Sequence, residues 1–291
     1  MTNHHDNEGF AHDLPALIGR RGLLALLGAG AVSLSAPARA LASCVALPWE
    51  TAGPYPADGS NSRSGQVINV LTEAGVIRDD LRASFNGKSG VAEGVPLVLE
   101  LTLLNADGCT PLAGHAVYLW HCDATGLYSL YDLPDQNFLR GVAVTDDQGK
   151  LRVTTIVPGC YDGRWPHIHF EVFETAEAAV SGQASLLTAQ IALPQDQAAA
   201  VYAQDAHYSN GTANLARITI PTDNVFGDNT EAQITQQTLV MQGDTQSGYL
   251  GTVTVPVDFN ADRTVQMAPP PGGMPPGGPG NPPPGSKPPS N

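Results

Sequence analysis

The chain has 291 residues, 42% of them hydrophobic and 14% charged, which is room for one substantial core with appendages. A formal net charge of −14 argues against nucleic acid and anionic membrane as partners. With 31 glycines and 24 prolines punctuating short apolar runs, the pattern favours β structure over helices.

Residues 1–42 read as a signal peptide of the twin-arginine type. A polar start leads to Gly19-Arg20-Arg21-Gly22, an apolar stretch over 23–28, and small residues at Ala38-Arg39-Ala40 and Ala40-Leu41-Ala42 where a signal peptidase could cut. The expected location is periplasmic or extracellular. Removing the segment leaves the charge unchanged, because Arg20, Arg21 and Arg39 balance Asp6, Glu8 and Asp13. A Sec-type signal with an incidental arginine pair is the competing reading. No other stretch is apolar enough to span a bilayer.

One domain is expected over 43–266. Its β-like runs are 97–104, 116–121, 141–145, 151–157, 167–173, 186–193, 215–220, 233–241 and 251–257, separated by turns such as Asn105-Ala106-Asp107-Gly108. Their spacing predicts an all-β fold, a β-sandwich with long loops, and 194–210 is expected to form a short helix or a loop. Residues 267–291 are so rich in proline and glycine that a disordered or polyproline-like tail is expected. Four cysteines, Cys44, Cys109, Cys122 and Cys160, follow the cleavage region, where an exported chain meets oxidising conditions. Of three full pairings, Cys44 with Cys109 and Cys122 with Cys160 is favoured. Alternatively, Leu41-Ala42-Ser43-Cys44 is a lipobox that would anchor the protein through Cys44.

Residues 158–173, PGCYDGRWPHIHFEVF, hold a tyrosine, an arginine and a His-x-His pair. Strand alternation sends His167 and His169 to one face and Ile168 and Phe170 to the other. Tyr161 precedes them in a Pro-Gly-bounded turn, and Tyr128 lies in a second loop, WHCDATGLYSLYD over 120–132. As a ligand set, two phenolates and two imidazoles suit a hard trivalent ion, above all Fe(III).

The chain resembles the intradiol ring-cleavage dioxygenases, the group of catechol and protocatechuate 3,4-dioxygenases, and in particular their short, exported, single-domain branch. The resemblance rests on Thr51-Ala52-Gly53-Pro54-Tyr55, on the stretches 94–129 and 138–170, and on LLTAQIALPQD over 186–196. It implies that Tyr128, Tyr161, His167 and His169 ligate Fe(III), that Tyr161 leaves the metal when substrate binds, and that Arg164, assisted by Gln190, stabilises negative charge on the substrate ring. The implied reaction cleaves a catechol-type aromatic diol with O2 to a cis,cis-muconate-type product. The segment between Tyr161 and His167 is shorter than in catechol and protocatechuate enzymes, which leaves the identity of the diol open. A homo-oligomer is also left open.

Other residues read more plainly. Trp120 and Trp165 are core or pocket wall, His121 is structural or supports a ligand, and Tyr55 lines the pocket or packs on the core. Tyr131 is the alternative ligand to Tyr128. A cupin-like site would use His167, His169 and Glu174, and a non-catalytic β-sandwich binding module is the other rival.

Overall fold

The computed structural model describes residues 44–265; the expected signal peptide and Pro/Gly-rich tail lie outside the described residues. The described fold is mostly sheet with a few short helices. Strands β1 (Asp58–Arg63) and β2 (Gln66–Asn69) form a separate hairpin, closed by Ser64 and Gly65 at φ 51 and 79, the positive angles that a two-residue hairpin turn requires.

Nine further strands build the two sheets. They are β3 (Pro96–Asn105), β4 (Thr110–Pro111), β5 (Ala116–Trp120), β6 (Arg140–Val144), β7 (Lys150–Ile156), β8 (His167–Phe173), β9 (Leu187–Ala192), β10 (Val240–Asp244) and β11 (Gly248–Val257). One sheet runs β10-β11-β3, with β7 and β4 sharing the far edge of β3; the other runs β6-β5-β8-β9. The β3–β11 pair is parallel and every other pair antiparallel.

The core sits where the inner faces meet. Leu97, Leu99, Leu101 and Leu103 of β3 pack with Val253, Val255 and Val257 of β11, and with Val117, Leu119, Ile168, Phe170 and Val172 of the second sheet. Each such side chain contributes about 1.5–3 kcal/mol on burial. On β3 the alternate residues face out, where Glu100 pairs with Arg152. On β8 they do not, since all seven residues are buried. The outer face of the four-stranded sheet is therefore covered, and a second apolar cluster that includes Tyr118, Trp120, Tyr128 and Tyr131 lies over it.

Two expected strands are corrected. Residues 215–220 follow a short helix (α3, Gly211–Leu215) and enter a 3-10 turn (Ile220–Thr222). Pro221, which fixes φ and lacks an N–H, suits that turn rather than a ladder. Most of 233–241 belongs to helix α4 (Glu231–Gln237), started by a capping box of Thr230 and Gln233, and only Val240 and Met241 enter a strand, β10. The two preceding helices are α1 (Ala176–Val180) and α2 (Gln195–Gln204), the latter within the segment expected as helix or loop. Among the described residues, no helix is long and apolar enough to cross a membrane.

Cys44 and Cys109 are joined by a disulfide. The expected Cys122–Cys160 bond is not formed, and both are buried thiols. Each sulfur donates to a carbonyl instead, Cys122 to Gly159 at 3.5 Å and Cys160 to Arg164 at 3.6 Å.

Candidate metal centre

The site lies on the covered outer face. The β8 pleat projects His167 and His169 together, with Nε2 atoms 3.0 Å apart. The turn after β7 delivers Tyr161 to them. Gly159 is required there because a Cβ would meet Ala124 O at 2.5 Å. The Tyr161 hydroxyl then stands 3.2 Å from His167 Nε2.

The second phenol arrives from the loop after β5. Asp123 Oδ1 accepts from the backbone N–H groups of Thr125 and Leu127, and Gly126 turns the chain at φ 90. This aims the Tyr128 hydroxyl at His169 Nε2, 3.3 Å away. Arg140 locks the loop, donating through Nε to Ser129 Oγ and through Nη2 to Ser129 O, both at 3.0 Å.

Two oxygens and two nitrogens thus converge at 3.0–3.3 Å. Donors held ~2.1 Å from one ion at tetrahedral or right angles lie about 3.0–3.4 Å apart, so the group has the span of a coordination polyhedron. Burial pushes the Tyr161 phenol up to about 12 and Tyr128 well above its ordinary value, and holds both imidazoles below theirs. All four groups are neutral at pH 7 until a cation is present. His167 Nδ1 donates to Trp165 O at 2.5 Å, which leaves Nε2 with a free lone pair.

Arg164 flanks the donors. It donates to Asp223 through Nε at 2.9 Å and to Gln190 Oε1 through Nη2 at 2.6 Å. Asp223 is fully buried and also accepts from the N–H groups of Trp165, Val225 and Phe226. Burial works against its charge, but Arg164 and these donors hold the carboxyl below its usual range. Gln190 is fixed in turn by Glu50, whose Oε2 accepts from Gln190 N at 2.8 Å while Oε1 accepts from Asn229 and Gln237. With no cation bonded to it, Glu50 is lifted by burial to about 7.

The structure therefore brings together Tyr128, Tyr161, His167 and His169, with Arg164 and Gln190 beside them. Tyr131 stands apart, donating to Asn61 Oδ1 and packing on Tyr55 at 4.9 Å. His121 spans the sheets to Thr155. Glu174 is exposed beyond the far end of β8, so the cupin-like set is not assembled. Among the described residues no three His, Cys, Asp or Glu side chains are placed to hold a metal ion, and the groups standing nearest the two histidine Nε2 atoms are the Tyr128 and Tyr161 hydroxyls. Asp223, Glu50 and Arg140 were not singled out from the sequence. Asp223 is 59 residues from Arg164, and no local motif marks it.

A family profile described as "Dioxygenase" matches residues 71–210, a span that holds both tyrosines and both histidines. The catechol 1,2-dioxygenase of Acinetobacter baylyi (strain ATCC 33305 / BD413 / ADP1) is 38% identical over 72 residues, 23% of this chain and 22% of that protein. The protocatechuate 3,4-dioxygenase beta chain of Burkholderia cepacia is 34% identical over 102 residues, 30% of this chain and 43% of that one. Over residues 71–210, just under half of its length, the chain is similar to the intradiol ring-cleavage dioxygenase family. The solved intradiol ring-cleavage dioxygenase of Tetranychus urticae shares the fold, with a TM-score of 0.54, 21% identity and coverage of 75% of this chain and 96% of that one. The matches to these two curated relatives span less than half of either protein's length.

The buried Arg164–Asp223 pair carries a clear stability prediction. Replacing Asp223 with Asn leaves a mostly buried guanidinium uncompensated and should cost about 3–5 kcal/mol. Replacing Glu100 with Gln, in the exposed pair with Arg152, should cost under about 1 kcal/mol. Urea unfolding of the two variants compares them, and equal costs would contradict the role given to Asp223.

Proposed function

We propose that this protein is a non-haem Fe(III)-dependent intradiol dioxygenase that cleaves a catechol-type aromatic diol with O2 to a cis,cis-muconate-type product. The observation that carries the reading is the convergence of two phenol oxygens and two imidazole nitrogens at 3.0–3.3 Å, in which the phenols, once ionised by a cation, are hard anionic donors suited to a trivalent ion. Tyr128, Tyr161, His167 and His169 would hold the iron. Bound there, Fe(III) would supply the Lewis acidity that chelates both diol oxygens and renders the ring reactive toward O2.

The protein's own groups divide the remaining work. Tyr128 is 2% exposed and pinned by its loop, so it is the permanent phenol. Tyr161 is half-buried and is followed by exposed Asp162 and Gly163, so it is the phenol nearer solvent, and its phenolate oxygen can take up a diol proton. Arg164 presents a fixed positive charge to the reacting ring, a contribution that preorganised electrostatics makes worth several kcal/mol. Asp223 and Gln190 keep it from reorienting.

Export by the twin-arginine route is part of the proposal. The Cys44–Cys109 disulfide supports export, though not a particular route, because such bonds persist in oxidising compartments. The same bond engages the sulfur that a lipid thioether at Cys44 would need, which favours a free protein over an anchored one.

Two outcomes test this reading. Iron-loaded protein should consume O2 with one of catechol, protocatechuate or hydroxyquinol and form a muconate-type absorbance, and Arg164→Gln should lower kcat by about 10²–10³. Absence of turnover on all three diols would sink the activity. Iron affinity should also rise with pH from about 5 to 8, log affinity climbing with a slope approaching two. The sign follows from the raised phenols, which are protonated across this window and must each release a proton, whereas the lowered imidazoles are already neutral and add no slope. Competition against a chelator of known proton uptake measures it; a flat profile would exclude phenolate ligation.

A further inference from the structure

The two candidate histidine ligands are held in different ways. His167 Nδ1 donates to the Trp165 carbonyl, the usual device that fixes an imidazole's rotation and tautomer. His169 Nδ1 is buried with no hydrogen-bond partner. For its Nε2 to take part in the donor group, the proton must sit on Nδ1, so His169 carries an unsatisfied buried N–H and lacks the anchor that His167 has.

What His169 has instead is an aromatic stack. The register pairs Trp120 of β5 directly with His169 of β8, both on the covered face. The indole lies flat against the imidazole, with centroids 4.9 Å apart and planes 5° from parallel. Tyr118 stacks behind Trp120 at 4.9 Å and 21°. The Tyr118 hydroxyl donates to Pro56 O at 2.7 Å and accepts from Arg140 Nη1 at 3.2 Å, so the stack is fixed at its far end. At the imidazole edge, Gly53 leaves room that a Cβ would take, since that atom would stand 3.2 Å from His169 Cε1. Rotating the ring about Cβ–Cγ would drive an edge into the indole.

We propose that Trp120 is a positioning residue whose stacked indole, in place of a hydrogen bond at Nδ1, sets the rotation of His169 and keeps its Nε2 in the donor group. This inference rests on the ferric reading for its metal-dependent consequence and on the ring geometry alone for its metal-independent one. Because no carbonyl polarises Nδ1–H, His169 is the weaker imidazole donor, and its place in the donor group depends on the packing of its neighbours.

The test compares three variants of the iron-loaded protein by the rate of Fe(III) loss to excess chelator, alongside the Tm of the metal-free forms. Trp120→Leu, which keeps the position apolar but removes the flat face, should lose iron about 10–100-fold faster than wild type. Trp120→Phe should stay closer to wild type. Val117→Ala, on the inner face of the same strand, should lower Tm without changing iron loss. Iron loss from Trp120→Leu at the wild-type rate, or equally fast loss from Val117→Ala at matched Tm, would overturn the proposal. Should Trp120→Leu not fold, ring NMR of metal-free wild type decides: the stack requires upfield-shifted His169 ring protons, and an unshifted ring overturns it. A wild-type protein that binds iron without a phenolate absorption band would sink the ferric reading, while the NMR result would still judge the stack.

Discussion

The period-two alternation of β8 is the constraint on which the rest of the structure depends. Ile168, Phe170 and Val172 must enter the core between the sheets, so His167, His169 and Glu171 must point the other way. A one-residue slip would bury the imidazoles between the sheets and expose Phe170. That outward face would ordinarily be wet. Here the segments over 44–57, 122–139, 158–166 and 219–229 supply the side chains that cover it, and they also bring Tyr128, Tyr161, Asp223 and Glu50. Covering the histidines and assembling the donor group are one structural event. The result is a set of buried, neutral donors whose hydrogen-bonding capacity is poorly used among themselves, which a cation would satisfy.

Two buried guanidinium groups organise that cover in unlike ways. Arg140 is fully buried and held by neutral acceptors, Ser129, Pro56 and Tyr118, so it ties the Tyr128 loop to the segment carrying Tyr55. Arg164 belongs to the Tyr161 segment and is paired with Asp223, which draws in the stretch after α3. Tyr128 consequently sits in a doubly anchored loop, and Tyr161 sits on the rim.

Much of this was legible from residue pattern. The strand of His167 and His169 begins and ends where alternation places it, because three inward apolar residues leave it only one register. Gly126 and Gly159 mark the two turns that carry the tyrosines, and each has a conformational or steric need for glycine. The sequence was misleading where local chemistry sets the backbone: Thr230 and Gln233 cap a helix just before the apolar residues 239–241, and Pro221 turns the chain after Ile220. Asp223 and Glu50 were invisible because each gains meaning only from partners tens of residues away. The Cys122–Cys160 pairing misread two buried thiols whose sulfurs are engaged with carbonyls. Trp120 was read as core or wall, and only the cross-strand register reveals the imidazole against its face.

The central claim is that two phenolates and two imidazoles together bind ferric iron and leave room for a diol. The most direct measurement is the visible absorption spectrum of the iron-loaded protein before and after anaerobic addition of catechol. The account predicts a burgundy phenolate-to-iron charge-transfer band that moves to longer wavelength when catechol is added. A protein that holds iron tightly yet stays colourless, or a band indifferent to catechol, would contradict it.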